Sequence, residues 1–161
     1  PPRSTLFPYT TLFRSKIGKL QSAIRTMNNV LNKTSQELGQ MRAAAQGIRT
    51  ENLRILEEII VVENKIDILQ RKINGDRLAN RLDVDLPPSI SDRVNRAAYG
   101  VLSSTSAPTY TQRDAHDIAH DEFQPLLEEL KTILEKDIKN ILNTMNRSGA
   151  PYTLKIGRAH V

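Results

Sequence analysis

Apolar residues recur along the first third of the chain in alternating steps of three and four. The series runs Ile17, Leu20, Ile24, Met27, Leu31, Leu38, Met41, Ala45 and Ile48, with Thr34 filling one slot. At the helical repeat these positions share one face, so the spacing predicts an α-helix with a seam sustained over about four heptads. Ile55, Ile59, Val62, Ile66, Leu69 and Ile73 repeat the pattern. Gly47 between the two series is a helix-stopping residue and Thr50 a ready N-cap. Two antiparallel helices with a turn near Gly47 follow. One unbroken helix is the competing reading, since the heptad phase runs through 48, 52 and 55. Gly47 and the polar Asn52 in the seam favour the hairpin.

Asn74-Gly75-Asp76 closes the second helix, and residues 83–88 are extended because residues before proline avoid helical dihedrals. Ser89 and Asp92 form a capping box ahead of Ile90, Val94, Ala97, Ala98 and Val101, one face of a short third helix. Residues 103–108 are a loop of small side chains. Thr109 with Gln112 opens a long fourth helix whose expected core face is Ile118, Phe123, Leu127, Leu130, Leu134, Ile138, Ile141 and Met145. Leu127, Leu130 and Leu134 are expected against Ile59, Val62 and Ile66. Pro125 lacks the amide that the Asp121 carbonyl needs, which predicts a kink over residues 121–125. Ser148-Gly149 ends the helix. The expected fold class is all-α, an elongated antiparallel bundle of about four helices with coiled-coil-like seams.

The two ends change how composition is read. Residues 1–15 resemble the conceptual translation of a short-read sequencing adapter, and residues 156–161 resemble its partner, whose next codon would be a stop. The organisation expected is therefore adapter-derived sequence over 1–15, a helical hairpin over 16–74 and a linker over 75–88. A short and a long helix over 89–148 complete the bundle, followed by a tail over 149–155 and adapter-derived sequence over 156–161. The natural stretch is expected to be a window of a longer protein. The terminal segments are expected to add nothing to a packed core, with non-specific adherence of Leu6, Phe7, Leu12 and Phe13 to the bundle, or a helical extension, as the alternatives. The formal charge of +5 includes Arg3, Arg14 and Arg158 from those segments. Setting these three aside from 23 basic residues leaves 20 against 18 acids, about +2, so the basic balance gives no reason to expect nucleic acid. There is no Cys, hence no disulfide or thiolate metal site. The longest aliphatic run, Ile59-Ile60-Val61-Val62, is far short of the ~20 residues that span a bilayer.

The sharpest chemical candidate is His116-Asp117-Ile118-Ala119-His120. Two His at i and i+4 share a helical face, as in the zinc-protease pattern His-Glu-x-x-His. That chemistry needs a third ligand and an open coordination position. Asp114 and Asp121 sit on other faces, Glu135 lies about 22 Å along a continuous helix, and Asp117 is one methylene shorter than the usual base. His116 and His120 are therefore read as members of a solvated face, with no catalytic or cofactor-binding residue assigned and no cofactor implied. Glu128, Glu129, Lys131, Glu135, Lys136, Asp137 and Lys139 offer i,i+4 pairs that support an exposed face.

The second half carries a family resemblance. Leu86-Pro87 precedes the short helix, residues 93–102 follow, Ser106-Ala107-Pro108-Thr109 opens a long helix, and Gly149-Ala150-Pro151-Tyr152-Thr153 closes it. In order and spacing this resembles the C-terminal helical region of large secreted bacterial proteins with sortilin-like β-propellers of BNR repeats, often labelled glycosyl hydrolases. The resemblance implies an extracytoplasmic origin and a propeller N-terminal to this stretch, which would hold any glycosidase carboxylates. It makes the chain a non-catalytic accessory module whose partner is its own propeller or another protein chain. The competing readings are a free-standing coiled-coil interaction protein and, third, a small metalloenzyme using His116 and His120.

Overall fold

Nine of the first series of apolar and seam positions wind onto a single buried stripe of α1 (Leu6–Gln46), from Ile17 through Leu31 and Thr34 to Ala45. The hydroxyl of Thr34 is satisfied inside that stripe, donating to the Val30 carbonyl one turn back at 2.9 Å. All six positions of the second series, Ile55 to Ile73, are likewise buried on α2 (Asn52–Asn74). The computed structural model describes residues 6–47, 52–101 and 106–149. Among them every regular element is helical. The chain divides into two compact units, one of residues 1–29 and 68–128, the other of residues 30–67 and 129–161.

The fold is an all-α bundle in which α1 and α2 run antiparallel. In the first unit, Asn28 of α1 and Asn74 of α2 exchange amide hydrogen bonds at 3.1 and 2.9 Å. In the second, Arg42 of α1 pairs with Glu63 of α2. Position rises along one helix as it falls along the other. Gly47 lies in a turn, its amide donating to the Ala44 carbonyl. Ile48, Thr50 and the side chain of Asn52 lie outside the described residues, as do part of the small-residue loop and everything from residue 150 on.

In the first unit, α3 (Arg77–Arg81) follows the Gly75 turn, where φ is +83°. Asp76 caps it, its Oδ1 accepting from the amides of Leu78 and Ala79 at 2.8 and 3.2 Å. Those two bonds, the Ala79 one foremost, hold the Asp76 carboxyl below its ordinary value against an opposing desolvation effect, with Arg71 adding a smaller downward pull. The helix α4 (Ile90–Ala98) starts with the reciprocal bonds of Ser89 and Asp92 and buries Ile90, Val94, Ala97 and Ala98. A matching pair opens α5 (Tyr110–Thr132): the Thr109 amide donates to Gln112 Oε1 at 2.8 Å and the Gln112 amide to Thr109 Oγ1 at 3.2 Å.

The buried face beyond Phe123 differs from the expected one. Leu126, Leu130 and Ile133 are buried, whereas Ile118 and Leu127 are half-buried and Leu134 is 36% exposed. The reason is a π-helical turn, Ile133–Asp137, between α5 and α6 (Ile138–Arg147). Counting back from Met145 through Ile141 and Ile138 reaches Leu134, while counting forward from Phe123 through Leu126 and Leu130 reaches Ile133. The π turn supplies one extra residue, so the core steps by five from Ile133 to Ile138 and both halves keep their apolar faces inward. It also brings Asp137 to 2.7 Å from Lys65 Nζ on α2. Pro125 sits on the exposed side of α5, which runs through it to Thr132.

The expectation that residues 1–15 stay out of the core is corrected. From Leu6 they continue α1, and Thr10 and Phe13 are buried because they fall in phase with Ile17 and Leu20. Arg14 Nε donates to the Val101 carbonyl at 2.8 Å, tying this turn to the end of the α4 segment.

Two outcomes follow. Replacing Leu130 or Ile133 by Ala should cost about 2–5 kcal/mol of unfolding free energy. Leu134→Ala and Glu128→Ala should stay below about 1 kcal/mol, read by urea unfolding. Equal losses at Ile133 and Leu134 would contradict the π-turn register. For Asp76, a folded pKa below the unfolded one means that its contribution is full above the unfolded value and is lost as pH falls through the folded value. An NMR titration should place its carboxyl below the ordinary value, and Asp76→Asn should abolish the acid-side loss of α3. A carboxyl that titrates normally contradicts this.

Candidate functional site

Helical spacing puts His116 and His120 one turn apart near the start of α5, and their rings stack with centroids 6.2 Å apart at 19°. They form one wall of a cleft of about 590 Å³ in the first unit. Lys16, Lys19 and Leu20 of α1 line the other wall, with Asp117, Asp121 and Gln124 beside the His residues. The cleft is therefore amphipathic, with lysines on the α1 side, aspartates on the α5 side and the buried Leu20 and Phe123 in its lining.

The two His residues are not equivalent. His120 is half exposed, with Nδ1 3.3 Å from Asp121 Oδ1 and Nε2 3.3 Å from the Gln124 amide nitrogen. His116 is only 6% exposed, which corrects the reading of both as members of a solvated face. The edge of Phe13 covers its ring at 5.5 Å and 61°, and its Nδ1 is 2.9 Å from Asp117 Oδ1. The burial comes from Phe13, in the segment from which no packing was expected, so reading α5 alone misses it.

Each His thus directs Nδ1 at the carboxylate of the residue following it. Asp117 and Asp121 carry side chains that are 73% and 84% exposed. Two stacked imidazoles offer at most a two-point grip on a cation. Among the described residues no group of three or more His, Asp or Glu side chains converges. Zinc chemistry of the kind sketched by His116-x-x-x-His120 would need that third donor.

Sequence reasoning also missed a second cleft of about 620 Å³ in the same unit. Leu86, Pro87, Pro88, Pro125 and Leu126 give it an apolar lining, and Arg71 and Asp92 stand at its edge. Nearby, Arg93 Nε lies 3.3 Å from Glu122 Oε2, joining α4 to α5. The only sequence signal for this cleft was the pairing of Leu86-Pro87-Pro88 with a distant proline in a helix. Among the described residues no helix is long and apolar enough to cross a membrane. No family model matches the chain, and no curated protein or solved structure matches it either.

His116→Ala should cost about 1–2 kcal/mol through the void left under Phe13, while His120→Ala should remain within about 0.5 kcal/mol of the parent. Calorimetric titration with zinc should show no sub-micromolar binding. Tight binding lost in the double variant would establish a metal site.

Proposed function

We propose that this chain is a non-catalytic helical module from the C-terminal part of a larger secreted protein of the sortilin-like, BNR-repeat β-propeller kind. Its role is to stabilise or present that propeller, or to hold another protein chain, outside the cytoplasm. The observation that carries this reading is the placing of the resembling residues at element boundaries. Leu86-Pro87 leads into the Ser89 cap of α4, and Pro108-Thr109 leads into the Thr109 cap of α5. A run of small and proline residues with that spacing marks helix starts rather than a reactive loop.

The polar side chains support the same reading. Arg42 with Glu63, Lys65 with Asp137 and Arg93 with Glu122 bridge helices, and His116 and His120 are each paired with the next Asp. The first three fix helices against one another, while the two His–Asp contacts stay within α5. The exposed Leu78, Leu82, Val84 and Leu86, spread over α3 and the stretch that follows it in the first unit, are contact area suited to a neighbouring domain.

The buried seam of α1 also suits a second reading, a free-standing coiled-coil interaction protein. The DNA upstream of the Lys16 codon separates the two. The propeller reading expects β-strand repeats carrying Asp-boxes there. A continuing heptad pattern would overturn it in favour of the coiled coil.

A further inference from the structure

The carboxylates beside the two stacked histidines decide which ring nitrogen each has left. Nδ1 of His116 lies 2.9 Å from Asp117 Oδ1, and Nδ1 of His120 lies 3.3 Å from Asp121 Oδ1. An ionised carboxylate only accepts, so in the neutral ring the proton belongs on Nδ1 and the lone pair on Nε2. Imidazoles that ligate metals are held in this way, one nitrogen donating to a carboxylate that fixes the tautomer and orientation of the ring. Here the arrangement occurs twice, one helical turn apart, on rings at 19° to each other that line one cleft.

A further donor stands beside them. Gln124 lies one more turn along α5, with its amide nitrogen 3.3 Å from His120 Nε2. A half-turn of that amide exchanges the nitrogen for Oε1, a neutral oxygen acceptor. His116, His120 and Gln124 thus fall at i, i+4 and i+8 and all line the same cleft of the first unit. Their placement depends on the helical repeat of α5 alone.

We propose that His116 and His120 form a site for Cu(II), held through Nε2 of each ring, with Gln124 Oε1 as a weak third ligand and water completing the coordination. The donor set selects the ion. Two imidazoles with neutral oxygens suit the tetragonal nitrogen and oxygen coordination of Cu(II), which also stands above zinc in affinity for a given set of ligands. Zinc sites take three or four strong protein ligands, so the expectation of no tight zinc binding stands beside this one. An ion about 2 Å from each Nε2 draws the rings together from their 6.2 Å separation. His120, with half its side chain exposed, supplies that movement, while His116 stays fixed beneath Phe13. The exposed Asp117 and Asp121 offset the charge of the ion against Lys16 and Lys19 across the cleft. The inference goes beyond the propeller reading and does not rest on it.

Calorimetry and electron paramagnetic resonance with Cu(II) alone, on the full chain, test the site. One equivalent should bind in the micromolar range with hyperfine coupling to two imidazole nitrogens, and zinc should bind at least about tenfold more weakly. His120→Ala should weaken Cu(II) at least about tenfold, and Asp121→Asn, which removes the carboxylate that orients His120, about tenfold. His160→Ala, at the third histidine of the sequence, should leave binding unchanged. Circular dichroism checks that each variant keeps the parental helicity, and Asp121→Asn decides if His120→Ala unfolds. The proposal is overturned by a chain that takes up no stoichiometric Cu(II), by binding that survives both His120→Ala and Asp121→Asn, or by binding lost in His160→Ala.

Discussion

Burial of one apolar stripe along each long helix is the constraint on which the other features depend. A fully buried Leu, Ile, Val, Met or Phe contributes about 1.5–3 kcal/mol relative to exposure, and α1 and α2 between them bury more than a dozen such positions. An exposed ion pair contributes ~0–1 kcal/mol. The pairs Arg42–Glu63 and Lys65–Asp137 therefore align helices that the stripes already hold. The polar exceptions in the stripes are satisfied locally, as with Thr34, and so do not weaken them.

The same constraint accounts for the π turn. Apolar residues after Phe123 obey one phase and those before Met145 another, and a regular helix can bury only one of them fully. Inserting one residue over Ile133–Asp137 lets both be buried, at the expense of one regular helical turn. The seams of α1 and α2 were legible because nothing interrupts their period, and so were the two capping boxes, whose signal is local. The register of α5 was less legible. Leu126-Leu127 and Ile133-Leu134 are adjacent apolar pairs, and periodicity alone cannot say which member of each pair faces inward. Asp76 as a cap was missed because Asn74-Gly75-Asp76 reads first as a helix end, with the five-residue α3 too short to leave a period.

The His cleft shows a different limit. The i,i+4 spacing placed His116 and His120 on one side of α5, and the structure stacks them. Their unequal burial depends on Phe13, far away in sequence and in a stretch that resembles translated adapter. Helical phase alone decides whether a side chain reaches a core, whatever the origin of the codon. Thr10 and Phe13 extend the rhythm of Ile17 and Leu20, while Tyr9 and Leu12, one position off, remain exposed.

The central claim is that apolar stripes hold this fold and that charged side chains only orient it. Urea unfolding followed by helical circular dichroism, repeated as sodium chloride is raised from low to high concentration, tests it directly. Salt screens exposed ion pairs strongly and leaves buried apolar contacts intact or slightly strengthened. The account predicts a midpoint that holds steady or rises with salt. A midpoint that falls steeply would mean that the ion pairs carry the fold, contradicting the account.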